Sequence, residues 1–148
     1  VYHSRDVGNW DAHRDYRDQM KSLCADTDRA VGALLADLKQ RGLLDETLVV
    51  MGGEFGRTLQ KEADTTGHQN EGFSMMLAGG GVRGGTTYGA THPGGLGVAA
   101  DPVPVADLHA TILHLMGIDH RELTYHQSSR HFRLSGSDVR VVDGILEG

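Results

Sequence analysis

Five side chains in this sequence have the chemistry of a hydrolytic metal centre: Asp11, His13, Glu54, Arg57 and His68. Asp11 and His13 stand two apart in Trp10-Asp11-Ala12-His13, and in an extended segment such a pair points to one side, so that both reach one ion. A helix start accounts for the same residues, with Asp11 as cap and His13 solvated. Glu54 and Arg57 lie in Gly52-Gly53-Glu54-Phe55-Gly56-Arg57-Thr58, directly after an apolar run, and His68 follows in Gly67-His68-Gln69-Asn70. Carboxylate oxygen and imidazole nitrogen suit divalent zinc, calcium, magnesium or manganese, and loops contributing one donor each are a usual way to assemble such a set. Arg57 is the candidate catalytic contact to an anionic group, through its planar fork. Pairing of Glu54 with Arg57 at a loop surface explains those two residues equally well.

These groups need a scaffold. The run Leu48 to Met51 is continuously apolar and β-branched at its centre, which predicts a parallel strand covered by helices on both faces. In open α/β sheets ligands bind beyond the carboxyl ends of strands, where Glu54 and Arg57 would sit. Before this strand, Met20, Leu23, Cys24, Thr27, Val31, Leu34, Leu35 and Leu38 recur at three- and four-residue steps and predict a helix from Tyr16 to Arg41. Gly42 stops it, and Cys24 reads as a small core residue. Helix, short turn and buried strand form the returning half of a βαβ unit.

After the strand, Gln60 to Asn70 reads as a polar loop over its end. Phe73 to Ala78 reads as a second buried strand, closed by Gly79-Gly80-Gly81; no helix start or phosphate-binding lysine follows these glycines, so they read as a structural turn. Pro104 opens a second helix near Val105 to Met116, with Asp107 complementing its dipole and Gly117 just past its end. His109 and His114 on it read as partly buried residues with hydrogen-bond partners. Tyr125 to Arg133 alternates basic and aromatic residues, as a terminal strand with one solvated face or an anion-binding edge. Ser137 to Leu146 reads as a closing short helix.

Composition narrows the partners. The 148 residues suit one domain, and a formal net charge of −6 argues against a general nucleic-acid binder. No stretch reaches the length of a membrane span. One cysteine, Cys24, excludes an intrachain disulfide, whereas 21 glycines imply many tight loops and 9 histidines make metal or proton chemistry worth testing. Val1 stands where a methionine would begin a complete chain, which implies a missing upstream portion and, with it, any export signal.

Several motifs occur in one order: Trp10-Asp11-Ala12-His13, the run Leu34 to Val50, Gly53-Glu54-Phe55-Gly56-Arg57-Thr58, Phe73 to Gly81, Tyr88-Gly89-Ala90-Thr91, and Asp107-Leu108-His109-Ala110-Thr111-Ile112-Leu113-His114. Together they resemble the domain of unknown function 1501 family, a bacterial sulfatase-like group, over Trp10 to about Arg133. That family resembles the alkaline phosphatase superfamily. The resemblance implies an α/β fold: part of an alkaline-phosphatase-like α/β/α sandwich with a mostly parallel sheet, of which this chain is the C-terminal portion, the nucleophile lying upstream.

It also implies a metal-dependent hydrolase of sulfate or phosphate esters, with a small-molecule or glycan ester as substrate and an extracytoplasmic location. Asp11, His13, Glu54 and His68 fall in the regions of its metal ligands. Two positions depart from the pattern: Glu54-Phe55 stands where superfamily enzymes commonly carry Asp-His, and Thr65-Thr66-Gly67-His68 where relatives often have Gly-Arg-Asp-His. The rival reading is a non-catalytic sulfatase-like fold that binds anionic glycans or serves a structural role.

Overall fold

A computed structural model describes residues 10–12, 15–60, 65–94 and 97–148. Among these, two helices are joined to eight short strands. The helices are α1 (Tyr16–Gln40) and α2 (Val105–Leu115). The strands are β1 (Val49–Gly52), β2 (Gly56–Gln60), β3 (Thr65–Gln69), β4 (Met75–Ala78), β5 (Ala90–Thr91), β6 (Val98–Ala100), β7 (Thr124–Gln127) and β8 (Arg130–Arg133). The strands pair only two by two, β1 with β4, β2 with β3, β5 with β6 and β7 with β8.

This overturns the expected α/β/α sandwich with a mostly parallel sheet. Both β2–β3 and β7–β8 are antiparallel. Among the described residues β1 pairs with β4 alone, in a two-stranded sheet, not as one strand of a wide parallel sheet. Nor is β1 covered on both faces, since Val50 and Met51 are 38% and 41% exposed. An apolar β-branched run specifies extended chain; it carries no information on how many strands flank it.

Both helices lie where the apolar spacing places them. Each ends in the same way: Gly42 and Gly117 adopt left-handed φ of 68° and 74°, while Leu43 N–H bonds Leu38 O and Ile118 N–H bonds Leu113 O, each at 2.9 Å. Those six-to-one bonds satisfy carbonyls that the last turn leaves open. The α1 stripe is less covered than its periodicity suggests. Leu23 is buried, Met20, Thr27, Val31, Leu35 and Leu38 are half-buried, and Leu34 is exposed. Cys24, expected in the core, is exposed.

The chain divides into two compact units. One takes residues up to Leu43, Gly52–Met75 and Thr91–Val98, and holds α1 and the β2–β3 hairpin. The other takes Leu44–Met51, Met76–Ala90 and Ala99–Gly148. In this second unit the interior forms where α2 meets the last residues: Ala110, Thr111, Val82 and Val142 are buried, and Thr111 Oγ1 accepts the Val142 N–H at 2.9 Å. Asp107 stands in the first turn of α2, where it complements the dipole as expected. It is buried and accepts the Arg140 N–H at 3.2 Å, fastening the terminal segment to α2.

Gly79-Gly80-Gly81 is a structural turn, as its sequence context implies. All three residues have positive φ. A Cβ on Gly79 would lie 2.3 Å from Leu44 O and 2.5 Å from Thr47 O, so the turn is seated on the backbone of the segment before β1. The expected closing helix reduces to one short 3₁₀ turn, Asp143–Ile145. His109 and His114, expected to be partly buried, are exposed.

Candidate functional site

The segment Gln60 to Asn70, expected as a loop, instead supplies a strand. β2 and β3 pair antiparallel with Arg57 opposite His68 and Leu59 opposite Thr66. Directly opposed residues share one face of an antiparallel pair, so this register puts Arg57, His68 and Thr66 on the same side. Polar β-branched Thr58, Thr65 and Thr66 are the sequence signal for the hairpin, since such residues suit a pleated, half-solvated surface.

Across that face runs the segment Trp10 to Ala12. Thr66 Oγ1 donates to Ala12 O at 2.7 Å in a buried contact, which fixes the segment against β3. One residue earlier, Asp11 turns its carboxylate to the other two groups. Oδ1 accepts Arg57 Nη1 and lies 2.9 Å from His68 Nε2. Arg57 Nη2 also donates to Trp10 O at 3.3 Å. Three residues from distant parts of the sequence thus meet at one carboxylate oxygen.

Phe55 holds the group from the side. Its ring lies 4.2 Å from the His68 ring, centre to centre, at 39°, and the Arg57 guanidinium carbon stands 5.1 Å over it. The aromatic face attracts the guanidinium and limits how His68 can turn. The apolar residue at this position therefore supports the histidine by packing.

Arg57 and Phe55 also line a cleft of about 270 Å³ with Gly53, Gly56, Gly72, Phe73, Ser74, Thr91 and Gly97. Its floor is close-set backbone: a Cβ on Gly56 would lie 2.2 Å from Gly72 O. The turn carrying Gly72 is held by Gln69, whose Oε1 accepts the N–H groups of Glu71 and Gly72. Such a wall of glycine backbone admits a compact group close to the chain, with Arg57 as the cation.

Of the residues expected at a site, Asp11, Arg57 and His68 come together. Glu54 is exposed in the bend between β1 and β2, and its expected pairing with Arg57 is replaced by the Asp11–Arg57 contact. His13 lies outside the described residues. Among the described residues no group of three or more His, Cys, Asp or Glu converges on a point where a metal ion would sit. The Asp11–His68 pair does match part of such a centre, because donor atoms sharing one ion at bonds of about 2 Å stand about 3 Å apart. Thr66 and Gln69 position the site, and nothing in their local sequence marks them.

A second histidine with a hydroxyl neighbour has a structural role. His120 is buried, with Nδ1 2.9 Å from Ser135 Oγ. Ser135 Oγ donates its proton to His120 O at 3.0 Å, so the imidazole is the donor to Ser135 and does not activate it as a nucleophile.

Among the described residues no helix is long and apolar enough to cross a membrane. A family model described as "Protein of unknown function (DUF1501)" matches residues 1–146. No curated protein and no solved structure matches the chain.

Proposed function

This chain belongs to the DUF1501 family, and on that premise we propose that it works as a sulfatase-like, metal-dependent hydrolase of sulfate or phosphate esters. The observation that supports this reading is the meeting of Asp11, Arg57 and His68 beside a glycine-walled cleft. A carboxylate and an imidazole brought together on one face of a hairpin are a donor pair for a divalent ion, and an arginine at the same place is a contact for an oxyanion.

In this proposal Asp11 and His68 hold the cation, with Glu54 and His13 as the further candidate donors. When bound, the cation supplies Lewis-acid charge to the transferring group. Arg57 orients a sulfate or phosphate through its remaining N–H groups, and Phe55 keeps the His68 ring in place. Thr66, through Ala12, sets how far Asp11 reaches.

The test is elemental analysis of protein purified without chelator, beside Asp11→Asn and His68→Ala, with turnover of aryl phosphate and aryl sulfate esters measured on the same samples. Stoichiometric divalent metal in the wild type, lost in both variants together with turnover, is the expected result. Metal content and turnover unchanged in either variant would remove that residue from the site. Binding of phosphate or sulfate without turnover would favour the second reading, a fold that holds anionic glycans, which also draws on Arg57 lining the cleft.

A further inference from the structure

We propose that the β7–β8 hairpin carries a second, independent metal site, a cross-strand pair of histidines that chelates a late first-row transition ion such as copper(II) or zinc(II). His126 on β7 stands directly opposite His131 on β8. Both residues are exposed, and their ring centres are 5.0 Å apart at 60°.

The hairpin geometry makes this pair a chelate. Ser128 and Ser129, with φ of 49° and 65°, form the two-residue left-handed turn that joins the strands. At the other end Leu134 N–H donates to Leu123 O at 3.0 Å, which marks that pair as hydrogen-bonded. Hydrogen-bonded and open pairs alternate along an antiparallel ladder. Counting from Leu123–Leu134 through Thr124–Arg133 and Tyr125–Phe132, the His126–His131 pair is an open one, where opposed side chains approach most closely.

Two imidazoles bound to one ion at about 2 Å, with an N–metal–N angle between square and tetrahedral, have ring centres about 4.5–5 Å apart. The observed separation falls at the upper end of that range. The two serines set the register, and the strands hold the imidazoles before any ion arrives.

Ligand type selects the metal. Two imidazole nitrogens suit copper, nickel and zinc, with copper tightest, and leave the remaining positions to water. The strand positions on this face, Thr124, His126, His131 and Arg133, carry no carboxylate. Hard, oxygen-seeking calcium and magnesium are therefore disfavoured. This proposal does not rest on the hydrolase reading, since none of its residues belongs to the Asp11–Arg57–His68 group.

The test uses the full chain with copper(II) alone at one equivalent, read by electron paramagnetic resonance and by titration against a competing chelator. Wild type should show hyperfine splitting from two equivalent imidazole nitrogens. His126→Thr and His131→Thr keep a β-branched residue in the strand, so the hairpin is retained. Each should weaken the first equivalent at least about tenfold, since even supporting residues around metal ligands cost that much when removed. His109→Ala, which removes an exposed histidine outside both sites, should leave it unchanged. In the doubly substituted His126→Thr, His131→Thr chain, adding Thr124→His and Arg133→His rebuilds the pair at the neighbouring open position and should restore binding. Unchanged affinity and spectrum in either single threonine variant would overturn the proposal, as would loss of the first equivalent in His109→Ala.

Discussion

Asp11 Oδ1 lies 2.9 Å from His68 Nε2 while the same oxygen accepts Arg57 Nη1. One carboxylate oxygen therefore serves both a cation and an imidazole, and His68 Nε2 is the donor in the neutral ring. The relationship depends on the β2–β3 register, because slipping either strand by one residue would send Arg57 and His68 to opposite faces.

Asp11 also restrains Arg57 as an anion contact. Asp11→Asn keeps the shape but removes the charge that competes for the guanidinium. With metal removed from both proteins by chelator, inorganic phosphate or sulfate should bind this variant several-fold more tightly than wild type, a gain of roughly 1 kcal/mol as for a partly exposed ion pair. Arg57→Ala should lose anion binding. Isothermal titration of both variants checks this; equal anion affinity in wild type and Arg57→Ala would remove Arg57 from the role.

Thr66 fixes the segment that presents Asp11. Thr66→Val keeps the strand shape but deprives Ala12 O of a buried donor. The loss should be about 1–3 kcal/mol by denaturant unfolding. Release of Asp11 should appear beside it as weakened metal binding. Thr66→Ser, which retains the hydroxyl, should restore most of the metal affinity, whereas a merely structural role would leave metal binding the same in all three proteins.

The sequence made some features legible and hid others for physical reasons. Both helices and their stops were readable because apolar spacing and a glycine at the left-handed position are local signals, and Gly42 and Gly117 occupy that position. Asp11, Arg57 and His68 were readable by type. Their meeting at one oxygen was not, because it depends on a register between strands that carry little apolar alternation. The parallel sheet rested on β1 and on the family resemblance, and apolar character in four residues leaves the neighbours undefined. Asp107 and Thr111 looked like ordinary helix residues because their partners, Arg140 and Val142, stand 33 and 31 residues away.

Thr111 is a strong point of stability in the second unit. It is fully buried, donates to Asp107 O at 2.7 Å and accepts the Val142 N–H. Thr111→Val is nearly isosteric, yet it leaves the Val142 N–H buried without an acceptor. A loss of about 1–3 kcal/mol is expected, seen as a lower denaturant midpoint with an unchanged slope. Thr111→Ser keeps the hydroxyl and should recover part of it.

Gly79 should tolerate no side chain. Its φ of 71° is strained for alanine, and the added carbon would strike the carbonyls of Leu44 and Thr47, which are backbone and cannot swing aside. Gly79→Ala should cost at least about 2 kcal/mol. Gly84→Ala is the control, since a Cβ there meets nothing within 4 Å. Similar thermal midpoints for the two variants would mean that the turn is not seated on that segment.

Asp119 offers a test by pH. Arg121 grips its carboxylate through Nε at 2.9 Å and Nη2 at 2.7 Å, and the Arg121 N–H adds a bond at 2.9 Å. The side-chain bond first, and the backbone bond after it, hold the carboxyl well below the usual carboxylate range. A depressed carboxylate contributes stability above its unfolded value, and that contribution is lost as pH falls through the folded value. The group is exposed, so the effect belongs to the local turn more than to the whole chain. Carboxyl-carbon NMR should find Asp119 still ionised where ordinary aspartates have taken up a proton, and Arg121→Ala should bring its midpoint back up among them. A midpoint already ordinary in the wild type would mean that the Arg121 grip does not persist in solution.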